Sequence, residues 1–188
     1  WIKSQQRREA VELKNVSADY CQLAIQGPRA LEILQPLTDL QLSEIKYYHF
    51  KQGTVDGVDA IVSRTGYTGE DGFEVYAAAN MAERLWQKLL DAGKYGSDDG
   101  VLPCGLAARN TLRLEAGMAL YGHEIDENTT LLEANLGWIC KLNKGDFVGR
   151  DRLAKQKEEG VRRRLIGFEV KERGIARDEQ DVLINGER

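Results

Sequence analysis

Eleven residues, Arg64-Thr65-Gly66-Tyr67-Thr68-Gly69-Glu70-Asp71-Gly72-Phe73-Glu74, restrict what this chain can fold into more than any other stretch. An apolar run from Val58 to Val62 leads into them, and an alternating run from Phe73 to Tyr76 leads out. Glycines at 66, 69 and 72 give the backbone access to conformations that a Cβ forbids. A turn this sharp can hold Tyr67 and Glu74 near each other at a sheet edge. Loops fixed by strands on both sides are common places for ligand sites. The same letters also suit an ordinary glycine-rich connection, so the rest of the chain has to decide.

Alternation places the flanking strands. From Tyr20 to Gln26 the period is two, with Cys21, Leu23 and Ile25 on one side, and Gly27 ends the run. Tyr47 to Gln52 reads as a second strand, and Asp56-Gly57 is the turn of a hairpin that joins it to Val58–Arg64. After the glycine loop, Phe73 and Val75 share one strand face while Glu74 and Tyr76 share the other. A sheet needs one apolar face for its helices, so Phe73 and Val75 point to the core. If the opposite face is open, Glu74 is a solvated carboxylate. If that face is roofed, Glu74 needs a hydrogen-bonding partner, because an unpaired buried carboxylate is too costly.

Helical spacing fills the intervals. Trp1 to Lys14 carries Ile2, Gln6, Ala10 and Leu13 near one face. Pro28 opens a helix whose buried residues are Ala30, Leu31, Leu34 and Leu37. Asn80 with Glu83 forms a reciprocal cap for a helix with Leu85, Trp86, Leu89 and Leu90 as its stripe and Gly93 as its end. Pro103-Cys104-Gly105 opens another, Leu106 to Glu115, with Gly117 as its stop. On it Arg109 and Arg113 stand one turn apart, so each needs an acidic partner, such as Glu115, or an anionic ligand. Leu136 to Cys140 reads as a buried strand, 144–150 as a turn, and Asp151 to Glu159 as a charged helix. Arg162-Arg163-Arg164 marks a linker, after which Leu165–Val170 and Val182–Ile184 read as strands. Interleaved hairpins and helices give the class α+β, an antiparallel sheet with packed helices.

Composition narrows the function. A net charge of −4 gives no general attraction to nucleic acid. No apolar run approaches the roughly 20 residues of a membrane helix. Cys21, Cys104 and Cys140 lack C-x-x-C spacing, and His49 and His123 form no metal pattern, so neither a zinc site nor a disulfide framework is supported. Reduced cysteines fit a cytoplasmic setting. The loop also misses both glycine-rich phosphate templates. Both ends look cut: the chain begins without methionine inside an amphipathic pattern, and stops just after Asn185-Gly186, a hairpin turn with no second strand. The expectation is a fragment of a longer protein.

Arg64–Glu74, Leu106–Arg109 through Leu114–Gly117, Leu120-Tyr121-Gly122, Leu136-Gly137-Trp138 and Lys144–Arg150 occur in one order and spacing. Together they resemble the aminomethyltransferase family of the glycine cleavage system, the T-proteins, through nearly the whole chain. The resemblance implies a tetrahydrofolate-dependent enzyme. It would take the aminomethyl group from the lipoyl arm of the H-protein, release ammonia and pass the one-carbon unit to tetrahydrofolate. By the same resemblance Glu74 hydrogen-bonds the pterin, Arg109 lies in the folate pocket, and Tyr67 and Trp138 stand at or near it. A carboxylate suits the adjacent N–H donors of a pterin edge, and flat rings suit a bicycle. The family's essential aspartate lies upstream of these residues, so no catalytic residue is assigned here and the fragment itself is expected to be inactive. The implied division is 1–149 as part of the folate-binding domain, 150–162 as a charged helix and linker, and 163–188 as the start of a C-terminal β-barrel domain. Two other readings keep the ligand: the folate-binding portion of a sarcosine or dimethylglycine dehydrogenase, and a non-enzymatic folate-binding module. Against the module, this chain has Lys144-Gly145-Asp146-Phe147 where such relatives carry Lys-Gly-Cys-Tyr.

Overall fold

A computed structural model describes residues 1–6, 11–177 and 180–186. The chain divides into two compact units, Trp1–Met118 and Ala119–Arg188.

The first unit is built on a four-stranded antiparallel sheet in the order β1-β4-β3-β2. Its strands are β1 (Tyr20–Gln26), β2 (Phe50–Val55), β3 (Val58–Ser63) and β4 (Gly72–Ala78). Asp56 and Gly57 turn the β2–β3 hairpin with φ of 48° and 73°, the left-handed pair that a two-residue hairpin loop requires. Central strand β4 pairs with β1 on one side and β3 on the other, so Glu74 faces Ala24 across one ladder and Ser63 across the other. Its alternate residues Phe73, Val75 and Ala77 are fully buried with Ile25, Ala60 and Val62. Against that face lie Ala30, Ile33 and Leu34 of α2 (Ala30–Leu34) and Leu85 and Leu89 of α3 (Ala82–Ala92). The class expected from the sequence, an antiparallel sheet with packed helices, is the class found.

Helix α4 (Leu106–Glu115) has the bounds its sequence implies, and Gly117 ends it with φ of 70°. There Gly117 N–H donates to Leu114 O at 2.9 Å and Met118 N–H to Arg113 O at 2.8 Å, the paired bonds of a Schellman cap. The second unit contains α5 (Arg150–Glu159), also where the sequence places it.

Several expectations fail for local reasons. The first helix, α1, spans only Ile2–Gln5, and 11–16 form no regular element, while Ala10 lies outside the described residues. Ile2 and Leu13 are exposed, so no core rewards a longer helix there. Asn80 makes no cap: it sits in a 3-10 turn, Ala79–Met81, that runs straight into α3 and already satisfies Ala82 N–H through Ala79 O. Leu136 to Cys140 is no buried strand. Asn135 takes φ of 57°, and Gly137–Ile139 closes into a 3-10 turn with Trp138 62% exposed. Among the described residues of 161–186, the expected strands 165–170 and 182–184 do not form. Asn185 and Gly186 do adopt the left-handed turn angles, 54° and 86°.

Phe73 fills the centre of the core at 0% exposure. Phe73→Ala should lower the unfolding free energy by about 3–5 kcal/mol, the usual cost of deleting a buried aromatic ring, as read from the urea midpoint at constant slope.

Candidate functional site

The loop between β3 and β4 is held at three points. At its base Arg64 and Asp71 form a forked ion pair, Nε to Oδ1 at 2.9 Å and a terminal nitrogen to Oδ2 at 2.6 Å. The remaining guanidinium nitrogen donates to Ile45 O at 3.1 Å. Hydrogen bonds from Arg64 hold the Asp71 carboxyl below the usual aspartate range against the opposing effect of burial, and the same bonds raise Arg64. Next, Gly27 N–H donates to Asp71 O at 2.8 Å, tying the loop to the end of β1.

The third point is Gln26, the last residue of β1. Its amide nitrogen donates to Thr65 O at 3.1 Å and Phe73 O at 3.3 Å, and its oxygen accepts from Thr68 Oγ1 at 3.4 Å. A Cβ on Gly66 would stand 1.8 Å from that oxygen, and one on Gly72 2.6 Å from the amide group. These two glycines therefore make room for Gln26, which is a different reason from the backbone freedom the sequence suggests. Gly69 does need a left-handed backbone, φ 83°, and its Cβ would meet the Ala116 methyl at 2.8 Å.

The loop in this shape presents Tyr67 beneath α4, where the Arg109 guanidinium lies 4.4 Å from the ring centroid. Arg113, one turn on, has a different fate. It is 3% exposed, with Nε 2.9 Å and a terminal nitrogen 2.7 Å from Asn110 Oδ1, and its other terminal nitrogen 3.1 Å from Met118 O. Arg113 braces the end of α4, and Arg109 is the arginine left at the surface over Tyr67.

Glu74 lies half-buried on the sheet face opposite the core. Gln22 Nε2 donates to its Oε1 at 2.6 Å, Thr65 Oγ1 donates to Oε2, and the Tyr76 hydroxyl is 3.4 Å from Oε2. Burial first, and then the Glu74 charge, push the Tyr76 phenol above its ordinary range, so it stays a donor. Of the two states the sequence left open for Glu74, the structure shows the partnered one.

Tyr67, Glu74 and Arg109 all line one cavity of about 330 Å³ beside edge strand β1. Apolar Leu23, Trp86 and Leu102 form other parts of its wall. The wall is thus mostly apolar with a few convergent polar groups, the usual make-up of a small-molecule site. Trp138, the fourth residue singled out in the sequence, belongs to the second unit and is exposed in its 3-10 turn. Sequence reasoning missed Gln22, Gln26 and Thr65. Gln22 and Gln26 share the β1 face of Ala24, the partner of Glu74, but that pairing is a long-range register that no local pattern contains.

Residues 1–144 match the family described as the GCVT N-terminal domain. The chain is 49% identical over 185 residues to an aminomethyltransferase of Alkaliphilus oremlandii, covering 98% of this chain and 50% of that protein. An aminomethyltransferase of Caldanaerobacter subterraneus is 50% identical over 189 residues, covering 100% and 50%. The solved structure of glycine cleavage system aminomethyltransferase T from Bartonella henselae superposes with a TM-score of 0.63 at 35% identity, over 75% of this chain and 37% of that one. The chain spans about half the length of the curated relatives it matches.

Because Asp71 is held ionised by Arg64, the stabilisation from that pair is complete above the ordinary aspartate pKa and fades as pH falls through the lowered folded value. Asp71→Asn should accordingly lower the melting temperature at pH 7, with the gap to the unsubstituted chain closing as pH falls below the ordinary aspartate pKa and through the lowered folded one, as followed by thermal melts across the range.

Proposed function

The chain belongs to the GCVT N-terminal domain family, and from that premise we propose that the protein carrying it is a tetrahydrofolate-dependent aminomethyltransferase of glycine cleavage. It takes the one-carbon unit from the aminomethyl-lipoyl arm of the H-protein, releases ammonia and delivers the unit to tetrahydrofolate. The observation that carries the reading is the convergence of Glu74, Tyr67 and Arg109 on one mostly apolar cavity.

The donor set suits the ligand. An ionised carboxylate accepts at about four lone-pair positions. Gln22 and Thr65 engage one position on each oxygen of Glu74 at close range, which leaves acceptors for a pair of ligand N–H groups. The Tyr67 ring gives a flat bicycle an aromatic wall. Arg109, stacked over that ring, offers forked donors to a carbonyl or carboxylate oxygen. Trp138, an exposed ring on the second unit, is the remaining residue that the resemblance assigns to folate.

When bound, tetrahydrofolate supplies the nitrogen that accepts the one-carbon unit. The residues named here bind and orient it, and none is assigned a proton-transfer role. Fixing the ring plane through Glu74 and Tyr67 removes rotational freedom before reaction, and apolar Leu23, Trp86 and Leu102 line the wall beside them. In the same reading 1–149 form part of the folate-binding domain, 150–162 a charged helix and linker, and 163–188 the start of a barrel domain. Among the described residues no helix is long and apolar enough to cross a membrane. We place the protein in the cytoplasm.

In the protein that carries this chain, Glu74→Ala should weaken tetrahydrofolate binding by about 1.5–3 kcal/mol, the scale of hydrogen bonds to a charged group, or roughly ten- to a hundredfold in Kd. Calorimetry reads this directly, and an unchanged Kd removes Glu74 from the site. Ammonia release from aminomethyl-loaded H-protein should depend on added tetrahydrofolate; release indifferent to it would sink the transferase assignment.

A further inference from the structure

We infer that Gln22 and Thr65 are positioning residues for Glu74, and that their grip makes the site selective for a ligand edge bearing two adjacent N–H donors. The inference rests on the reading of the cavity given above and names what sets its ligand preference.

The grip follows from the strand register. Glu74 is paired with Ala24 on β1 and Ser63 on β3, and both neighbours are small. Gln22 and Thr65 stand two residues further along from these neighbours. They reach the carboxylate diagonally from either side, a distance that long or flexible side chains span across a sheet. Gln22 takes Oε1 at 2.6 Å and Thr65 takes Oε2. A hydroxyl has one proton and two acceptor positions. Once Thr65 gives its proton to Glu74, it can accept from Ser63 Oγ, which lies 3.1 Å away. Ser63 therefore orients Thr65, and Thr65 orients Glu74.

An exposed glutamate samples several rotamers, and two donors on different oxygens fix its plane. The Tyr76 hydroxyl, 3.4 Å from Oε2, is a long contact that a closer ligand donor displaces. What Glu74 then offers is one acceptor on each oxygen, side by side in a set direction. An edge with two neighbouring N–H groups, as on a 2-amino-4-oxo pyrimidine ring, satisfies both. An edge with a donor beside an acceptor sets that acceptor against a carboxylate lone pair, leaving two desolvated acceptors without a proton between them.

The test uses the protein that carries this chain, with tetrahydrofolate and an analogue lacking the 2-amino group as probes. Thr65→Val and Gln22→Met keep shape and remove a donor. Each should weaken tetrahydrofolate binding about three- to tenfold, the scale of a single hydrogen bond, and should narrow the preference over the analogue. Thr65→Ser, which keeps the hydroxyl, should restore both. In a Glu74→Ala background Thr65→Val should have no further effect, the coupling expected of residues acting through one group. The inference is overturned if Thr65→Ser binds as weakly as Thr65→Val, or if Thr65→Val costs as much with Glu74 absent as with it present. If tetrahydrofolate binds and Glu74→Ala weakens it while both donor variants bind normally, the positioning role falls and the cavity reading stands. If the unsubstituted protein does not bind tetrahydrofolate, the cavity reading falls and takes the inference with it.

Discussion

One side-chain amide determines the shape of the site. Gln26 leaves the end of β1 and enters the β3–β4 loop, where its nitrogen bonds two backbone carbonyls and its oxygen takes a threonine hydroxyl. Buried amides are expensive unless satisfied, so this group fits only where those partners are presented together. Gly66 and Gly72 exist in that arrangement as missing volume, since a Cβ on either would occupy the space of the amide. The loop is therefore shaped from inside by another strand as well as by its own torsions. Its outer residues inherit that shape: Thr65 is delivered to Glu74, Thr68 to Gln26, and Tyr67 to Arg109.

What the sequence made legible was local. Strand Tyr20–Gln26, the Asp56-Gly57 hairpin turn and helix Leu106–Glu115 with its Gly117 stop follow from period and turn chemistry within a few residues; the bounds of that strand and helix hold, while the hairpin's first strand runs Phe50–Val55 up to its turn instead of Tyr47–Gln52. The partition of β4 into Phe73 and Val75 inward and Glu74 and Tyr76 outward was equally readable. Where a short apolar run had no such punctuation, the pattern misled. Leu136 to Cys140 has the composition of a strand, but a left-handed Asn135 precedes it and its hydrogen bonds close locally. The tail residues 165–170 and 182–184 have strand-like letters and no partner strand among the described residues. Of the four site residues, three were brought together by the first unit, while Gln22, one of the groups that hold Glu74, depended on a register 52 residues apart in sequence.

Charge placement shows why spacing alone could not assign roles to the arginines. Arg109 and Arg113 lie on the same helix one turn apart, and mutual repulsion implied for each an acidic partner or an anionic ligand. Arg113 turns inward and satisfies Asn110 and the carbonyl of Met118, locking the Schellman cap at Gly117. The methyl of Ala116, the C-cap residue, is what Gly69 packs against. So Arg113 contributes to the site indirectly, through the placement of a loop contact, and Arg109 faces the cavity directly.

Strand β4 joins these parts into one constraint. Its residues alternate between core and site, so the burial of Phe73, Val75 and Ala77 fixes the direction in which Glu74 and Tyr76 project. A slip of one residue against β1 or β3 would send Glu74 into the apolar core and Phe73 onto the polar face, which the cost of an unpaired carboxylate and an exposed ring forbids. Hydrophobic burial on one face thus supplies the geometric precision that binding requires on the other. The glycine loop at the start of β4 is where this precision would be lost first, because a ladder is weakest at its end. Gln26 and the Arg64–Asp71 pair close that end, pinning Gly72 and the residues before it to β1 and to the backbone of Ile45. The register that keeps Phe73 dry therefore also keeps Glu74 aimed, and the loop clamps hold that register at the end of the strand nearest the site.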